Sequence, residues 1–419
     1  MNDDTTSQVE ISRRRLLGTV GAAGAAGLAI GAAGGAVAHA STTDAPATAL
    51  TTVGSTEVMF HGKHQPGITT PLQSRGHLIA FDLAAAAGPA AARKDAVALM
   101  RRWSATASRL MAGEPAADGD SGVALDAGPS SLTVTFGFGR TFFDRTGLAA
   151  QRPVALDPLP AFSSDQLDPR RSEGDLWVQI GANDALVAFH ALRAIQKDAG
   201  KAARVRWQMN GFNRSPGATA HPMTARNLMG QVDGTRNPKP SEPDFDQRIF
   251  VAAEGRPGWM AGGSYAVVRR IRMLLDDWER LSVPEQELVI GRRKSDGAPL
   301  TGGSETTELD LDKTGPDGKL IVPDNAHARI SAPEQNGGAA MLRRPYSFHD
   351  GIAADGTPDA GLLFICWQAD PLKGFVPVQR KLDRGDALST FIRHESSGLF
   401  AVPGGPKSGE YVGQRLLES

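Results

Sequence analysis

The sequence predicts an α+β protein, and three observations predict it. Short apolar runs of strand character are separated by long segments whose apolar residues recur at helical spacing. In the first half these runs come in the order strand, helix, strand, strand, helix, strand. A second round of similar elements fills the second half, without repeating the first by residue identity. The 419 residues exceed one ordinary core, so two domains of roughly 150–200 residues are expected.

Taken in order, "GHLIAFDL" (Gly76 to Leu83) has the unbroken apolar character of a buried strand. A helix follows from Pro89, a residue tolerated in a first turn, and Ala96, Leu99, Met100, Trp103, Ala107 and Leu110 share one of its faces. "SLTVTFGFG" (Ser131 to Gly139) alternates as a strand, with glycines marking its end. "LWVQIGA" (Leu176 to Ala182) is another strand. Asn183 or Asp184 can cap the next helix, whose Ala185, Ala188, Phe189, Leu192 and Ile195 form a face. "ARVRWQMNGFNR" reads as a strand ending at Gly211. That order is the ferredoxin-like pattern of an α+β sandwich.

The second round begins near 221, giving expected domains of 57–220 and 221–419. "GSYAVVRRIRM" is a strand, "LLDDWERLSVPEQELVIGR" is helical with a break at Pro284, and "AAMLRRPYSF" and "GLLFICWQAD" are strands. Helical material around Leu382 to His394 precedes "GLFAVPGG". Lys294 to Pro333 is polar and rich in Gly and Pro. A loop that long inside a compact domain is functional or disordered.

Composition narrows the class. The 45 basic and 46 acidic residues leave a net charge of -1, which gives no electrostatic case for nucleic acid or an anionic membrane as partner. One cysteine excludes an internal disulfide framework and an all-cysteine metal site. It is Cys366, inside "GLLFICW", where a buried structural thiol is expected rather than a nucleophile. The N-terminus is more specific. "ISRRRLLG" sets Arg13 and Arg14 ahead of a run of small apolar residues that ends in "AHA" at Ala40, the pattern of a twin-arginine export signal cleaved after Ala40. Its Ala/Gly-rich centre is too weakly apolar for a transmembrane helix, and no later stretch approaches the ~18 apolar residues of a span. Residues 41–56 read as a mobile leader after a signal peptide of 1–40. Twin-arginine export carries folded proteins, often around a cofactor, so a cofactor enters here as an expectation.

Phosphate loops, zinc helices, covalent haem attachment and the nucleophile elbow have no motif in the chain. Three polar features remain. Asp233 in "GQVDGT" stands between Gly230 and Gly234, which allow positive φ and close approach of a flat ligand; a plain Asx-turn is the alternative. His327 in "PDNAHARIS" lies in the long polar loop and is a ligand or a structural histidine. Arg343 and Arg344 in "MLRRPYSF" must point to opposite faces of a strand, so one faces the interior, where it needs a carboxylate or a cofactor's propionate.

"GQVDGTRNP", with "HQPGI" upstream and "HARIS…LRRPYSF" downstream, resembles the dye-decolourising peroxidase family, closest to its exported twin-arginine branch with the deferrochelatase-like proteins. The likeness runs from about Val58 to Gly405. It implies two ferredoxin-like domains in a dimeric α+β barrel-type peroxidase fold, with one non-covalent haem b in the C-terminal domain. It implies Asp233 as distal acid/base, Arg343 as distal arginine and His327 as proximal ligand of the haem iron. Arg329 falls near the propionates, Asp386 orients the proximal imidazole, and Gly234, Thr235 and Asn237 shape the pocket wall. Moving a proton from one peroxide oxygen to the other needs a carboxylate such as Asp233 within hydrogen-bond reach. The Arg343 cation would stabilise the charge that develops as the O–O bond breaks. Implied partners are hydrogen peroxide and a dye or phenolic electron donor, reached through relays such as Tyr346 or Trp367. A haem-handling role in iron acquisition, an iron-uptake or copper-protein partner, and an oligomer are further implications. A non-enzymatic binding module is the reading in which Asp233 and His327 are incidental.

Overall fold

The computed structural model describes residues 52–116, 119–219, 223–254 and 257–419. The export signal read at Arg13, Arg14 and Ala40 lies outside them. The leader expected to run to residue 56 is already anchored at its end. A single turn, α1 (Thr52–Ser55), precedes Thr56, and the carbonyls of Gly54 and Thr56 accept from the Ser130 and Ser131 amides at 2.9 and 2.7 Å.

The first half contains β1 (Arg75–Leu83), α2 (Pro89–Met111), β2 (Thr133–Gly139), α3 (Arg140–Arg145), β3 (Leu176–Ala182), α4 (Ala185–Ala199) and β4 (Ala203–Phe212). All six residues expected on the inner face of α2 are buried. Asp184 caps α4, its carboxylate accepting from the Leu186 and Val187 amides at 2.8 and 2.9 Å. The face of α4 is rotated from the expected one. Val187, Ala188, Ala191, Leu192 and Ile195 are buried, whereas Phe189 is 44% exposed and Ala185 is exposed. Val187, Ala191 and Ile195 form an i, i+4, i+8 row, and that row sets the phase.

The second half contains α5 (Phe245–Ile249), β5 (Ser264–Met273), α6 (Leu275–Glu279), α7 (Val283–Ile290), α8 (His327–Ile330), β6 (Leu342–Arg343), β7 (Tyr346–Ile352), β8 (Pro358–Gln368), α9 (Phe375–Gly385), β9 (Ile392–Val402) and α10 (Gln414–Leu417). The helical break falls before Pro284, not at it. Ser282 and Glu285 form a capping box that starts α7, and Pro284 sits in the first turn, where its missing N–H is harmless. His394 is not helical: the helix ends at Gly385, and His394 belongs to β9. The "MLRRPYSF" strand is interrupted at Pro345, which has no N–H for the ladder, although β6 and β7 both pair with β8.

Within the first half the strand order is β2-β3-β1-β4, and within the second it is β9-β5-β8-β7, all pairs antiparallel. Both are the ferredoxin-like order. Short ladders join them, Phe138 opposite Ala401 and Phe212 opposite Ser347, so the sheet closes into a barrel with β6 attached along β8. The barrel is filled by aromatics. Trp177 stacks on Phe400 at 5.4 Å and meets Trp367 at 5.9 Å. Gly76, Gly181 and Gly211 stand side by side on β1, β3 and β4. A Cβ on any of them would come within 2.9 Å of Tyr346, so the glycines form the slot that docks this second-half side chain on the first half. "HQPGI" is part of the same closure: Gln65 bonds Phe136 in both directions and reaches the Pro403 carbonyl.

Cationic side chains are buried where β5 meets its neighbours. Arg270 pairs with Asp359 at 2.7 Å, Asp350 at 3.0 Å and Glu395, and lies 3.9 Å over the Phe348 ring. Arg269 pairs with Asp165 beside His394, whose Nδ1 is buried without a hydrogen-bond partner among the described residues. Burial, and then Arg269, push the His394 imidazole down to about 3, against the opposing Asp383. An unfolded histidine titrates near ~6.5. Between that value and about 3 the unfolded chain binds a proton that the folded chain refuses. Stability is therefore full above the unfolded value and falls with pH below it, by about 1.4 kcal/mol per unit from this group. In urea unfolding from neutral to mildly acid pH, His394→Gln should lose stability less steeply than the wild type. Parallel slopes would exclude His394 as the source.

Candidate active site

The first part of the site grows from a tight turn. The Asp233 amide donates to the Ala225 carbonyl at 2.8 Å, Gly230 closes the turn with φ 77°, and Gly234 carries φ 130°, a region costly for any other residue. Asn227 organises the turn, its Oδ1 accepting from the Met229 and Gln231 amides. The Asp233 carboxylate is thereby presented rather than consumed in an Asx-turn. One oxygen accepts from Arg343 Nη1 at 3.0 Å, and the other lies 3.4 Å from the Asn227 amide nitrogen.

Arg343 is placed by β6 and by Asn237. The Asn237 side chain donates to the Arg343 carbonyl at 2.7 Å and accepts from its amide at 3.0 Å, imitating a neighbouring strand where the real ladder stops. Arg343 and Arg344 do face opposite ways. Arg344 points inward and is 5% exposed, yet it has no carboxylate partner among the described residues. Its N–H groups go to the carbonyl oxygens of Gly67, Pro71 and the Gln73 side chain. The expectation that a buried arginine needs an anion fails there, because three oriented carbonyl dipoles take its place.

His327 opens α8 near the end of the long loop. Its Nδ1 donates to Asp386 Oδ2 at 2.7 Å, and a carboxylate can only accept, which fixes the tautomer that leaves Nε2 with a free lone pair. The other Asp386 oxygen is held by the Leu388 amide at 3.0 Å. Burial opposes protonation of His327, but Asp386 outweighs it and the imidazole is raised above its ordinary value. Arg343 lowers and Asp233 raises it, so the two halves of the site act on each other electrostatically.

Asp233, Gly234, Asn237 and Arg343 line one cavity of about 690 Å³, together with Arg344 and segments around Thr70, Asn213 and Thr224. Thr235 is not one of its lining residues, and its hydroxyl donates to Glu305 at 3.1 Å. Arg329 lines a separate cavity of about 320 Å³ beside Lys381 and Arg384, and donates to the Val322 and Leu311 carbonyls. Tyr346 and Trp367 are barrel core. Burial pushes the Cys366 thiol up to about 12, as a structural cysteine requires. Sequence reasoning missed Asn227 and Glu305 and left Arg236 without a role. Arg236 bonds Glu308 and Glu334, each at 3.0 Å, tying the Asp233 turn to two points of the following chain. Only Asn227 carried a local signal, as an Asx residue opening a turn.

The donor set can be tested for iron. No group of three or more His, Cys, Asp or Glu among the described residues could hold a metal. One imidazole with a free Nε2 would suit instead an iron whose remaining ligands come with a macrocycle. Fold and donors together describe an α+β barrel that carries a carboxylate–guanidinium pair and an imidazole whose Nδ1 is held by a carboxylate.

Residues 65–213 match the family described as Dyp-type peroxidase, N-terminal, and residues 224–407 the one described as Dyp-type peroxidase, C-terminal. The dye-decolorizing peroxidase of Thermobifida fusca is 42% identical over the full length of both chains. The deferrochelatase of Escherichia coli K12 is 36% identical over 97% of each. The solved DyP-type peroxidase from Streptomyces coelicolor is 78% identical, with a TM-score of 0.86 over 89% of this chain and 100% of that one. The chain belongs to the DyP-type peroxidase family. It is a haem peroxidase, an oxidoreductase with peroxide as acceptor.

Proposed function

We propose that peroxide is cleaved between Asp233 and Arg343 while His327 holds the haem iron, and that the electrons come from dyes or phenols. The supporting observation is two ion pairs, Asp233–Arg343 at 3.0 Å and Asp386–His327 at 2.7 Å, of which the first acts electrostatically on the His327 imidazole of the second. Haem supplies the redox chemistry when bound. Asp233 carries the proton between the peroxide oxygens, and Arg343 stabilises the charge on the departing one. Asn237 holds the Arg343 backbone in register. Asp386 keeps the proton of His327 on Nδ1, away from the ligating nitrogen.

The same reading includes domains of 57–220 and 221–419, with haem in the second. It includes export through Arg13 and Arg14 with cleavage after Ala40; no helix among the described residues is long and apolar enough to cross a membrane. The deferrochelatase relative supports a second reading, removal of iron from haem at the same pocket, with an iron-uptake or copper-protein partner outside. Absorption spectra of the chain from Ser41, prepared with haem, decide between them. A Soret band that shifts within seconds of one equivalent of peroxide, and returns when a phenol is added, is the expected result. A band indifferent to peroxide, with free porphyrin released under reduction, would favour iron removal. No Soret band would overturn both.

A further inference from the structure

The hairpin that carries Asp233 is short. Arg226 and Val232 form its bridge pair, and the Asn227 and Asp233 amides donate to the Gln231 and Ala225 carbonyls at 3.0 and 2.8 Å. Outside the last of these bonds stand Thr224 on one arm, and Gly234 and then Thr235 on the other. Gly234 takes φ 130°, and the freedom that allows this value also lets its arm swing unless the far end is held. The far end is held from another part of the chain. The Thr224 and Thr235 hydroxyls donate to one and the same oxygen of Glu305, at 2.5 and 3.1 Å, across 81 and 70 positions. Glu305 belongs to the long polar loop, and its own place is fixed by Arg292, which is 7% exposed. Arg292 Nη1 donates to the Glu305 and Gly297 carbonyls at 3.0 and 2.9 Å. A Cβ on Gly297 would stand 3.2 Å from Glu305 Cγ and 3.1 Å from Val232 Cβ, so the loop packs on the hairpin where Glu305 grips it. Thr224 and Asp233 line the 690 Å³ cavity, whereas Glu305 does not.

We propose that Glu305 is the positioning residue of Asp233: by accepting from Thr224 and Thr235 it closes the mouth of the hairpin and keeps the Asp233 carboxylate on Arg343. The inference rests on the reading in which Asp233 moves the peroxide proton. A carboxylate oxygen that takes two hydroxyl protons makes charge-assisted bonds, stronger than a neutral acceptor would make. Proton transfer tolerates little misplacement, and a shift of about 1 Å can cost about 10²-fold in rate. Glu305 acts through Asp233 alone, so its loss slows the peroxide step by no more than loss of the Asp233 carboxylate does. Thr235 thereby serves the site without lining its cavity.

The test mixes haem-loaded chains rapidly with peroxide and follows the Soret band in the wild type, Glu305→Ala, Glu305→Gln, Asp233→Asn and the Asp233→Asn/Glu305→Ala double variant. Glu305→Ala should react about 10- to 100-fold more slowly than the wild type. Glu305→Gln, whose amide oxygen can still accept from both hydroxyls, should recover most of that loss. In the Asp233→Asn background, Glu305→Ala should cost less than about twofold, because the group it positions is already gone. A merely structural role would slow both backgrounds alike, and that result overturns the proposal. So does a Glu305→Ala chain as fast as the wild type, or a Glu305→Gln chain as slow as Glu305→Ala. If Glu305→Ala fails to fold, Thr224→Val/Thr235→Val removes the same two bonds from the other side, and a wild-type rate there overturns the proposal. A wild type inert to peroxide, or an Asp233→Asn chain as fast as the wild type, sinks the reading of Asp233 itself and is seen without any Glu305 variant.

Discussion

Asp233→Asn should retain haem and lose between about 10²- and 10⁴-fold in the rate of its first reaction with peroxide, the range that positioned acid–base groups contribute. The substitution is nearly isosteric. An amide oxygen can still accept from Arg343 Nη1, now at 3.0 Å from the carboxylate, and Gly230 and Gly234 still shape the turn. What disappears is a group that can take a proton and return it. Rapid mixing of the haem-loaded variant with peroxide, followed in the Soret region, isolates that step from donor oxidation. A variant as fast as the wild type would remove Asp233 from the proton path and leave Arg343 as the principal distal group. Carboxylate loss also frees Arg343 from its one ion pair among the described residues, so a change in peroxide affinity without a change in limiting rate would signify repositioned Arg343 instead.

Much of the fold was legible because it is written locally. The face of α2 follows from one unbroken helical period over a 23-residue helix, and β3 spans the seven residues its apolar run marked. Errors came where two local signals competed. His394 follows a helix and a short 3-10 turn, and only pairing with Ile271 makes it a strand residue. Phe189 was placed inward by its helical spacing from Ala185 and Leu192, although the Val187–Ala191–Ile195 row takes the inner face. Closure of the barrel had no local signal, since Phe138–Ala401 and Phe212–Ser347 join residues far apart in the chain. The site divides the same way. Asp233 announced itself through two glycines that the structure uses at positive φ. The Asn237 clamp spans 106 positions to Arg343, and the His327–Asp386 pair spans 59, so neither was readable from spacing. Only resemblance pointed to Asp386.

Asp386→Asn should weaken haem binding by about 10- to 100-fold, the usual cost of losing the partner that orients a metal-ligating histidine. The argument turns on two donors competing for one oxygen. In the wild type, Oδ2 accepts from His327 Nδ1 at 2.7 Å and Oδ1 accepts from the Leu388 amide at 3.0 Å. Asparagine offers one oxygen and one NH₂ group. If its oxygen serves Leu388, the NH₂ faces Nδ1, which must then accept, and the imidazole proton moves to Nε2, the atom that should ligate iron. If its oxygen serves His327 instead, the NH₂ is thrust against the Leu388 N–H and the 3-10 turn beginning at Ala387 loses its cap. Either arrangement costs ligation or order, and a neutral amide no longer raises the basicity of the ring. Transfer of haem to an excess of a competing haem-free protein should be correspondingly faster in Asp386→Asn, while its urea-unfolding midpoint without haem reports separately on the cap. Faster haem loss with an unchanged midpoint supports tautomer control. Unchanged haem loss would mean that Asp386 only caps the turn and that His327 ligates without its help.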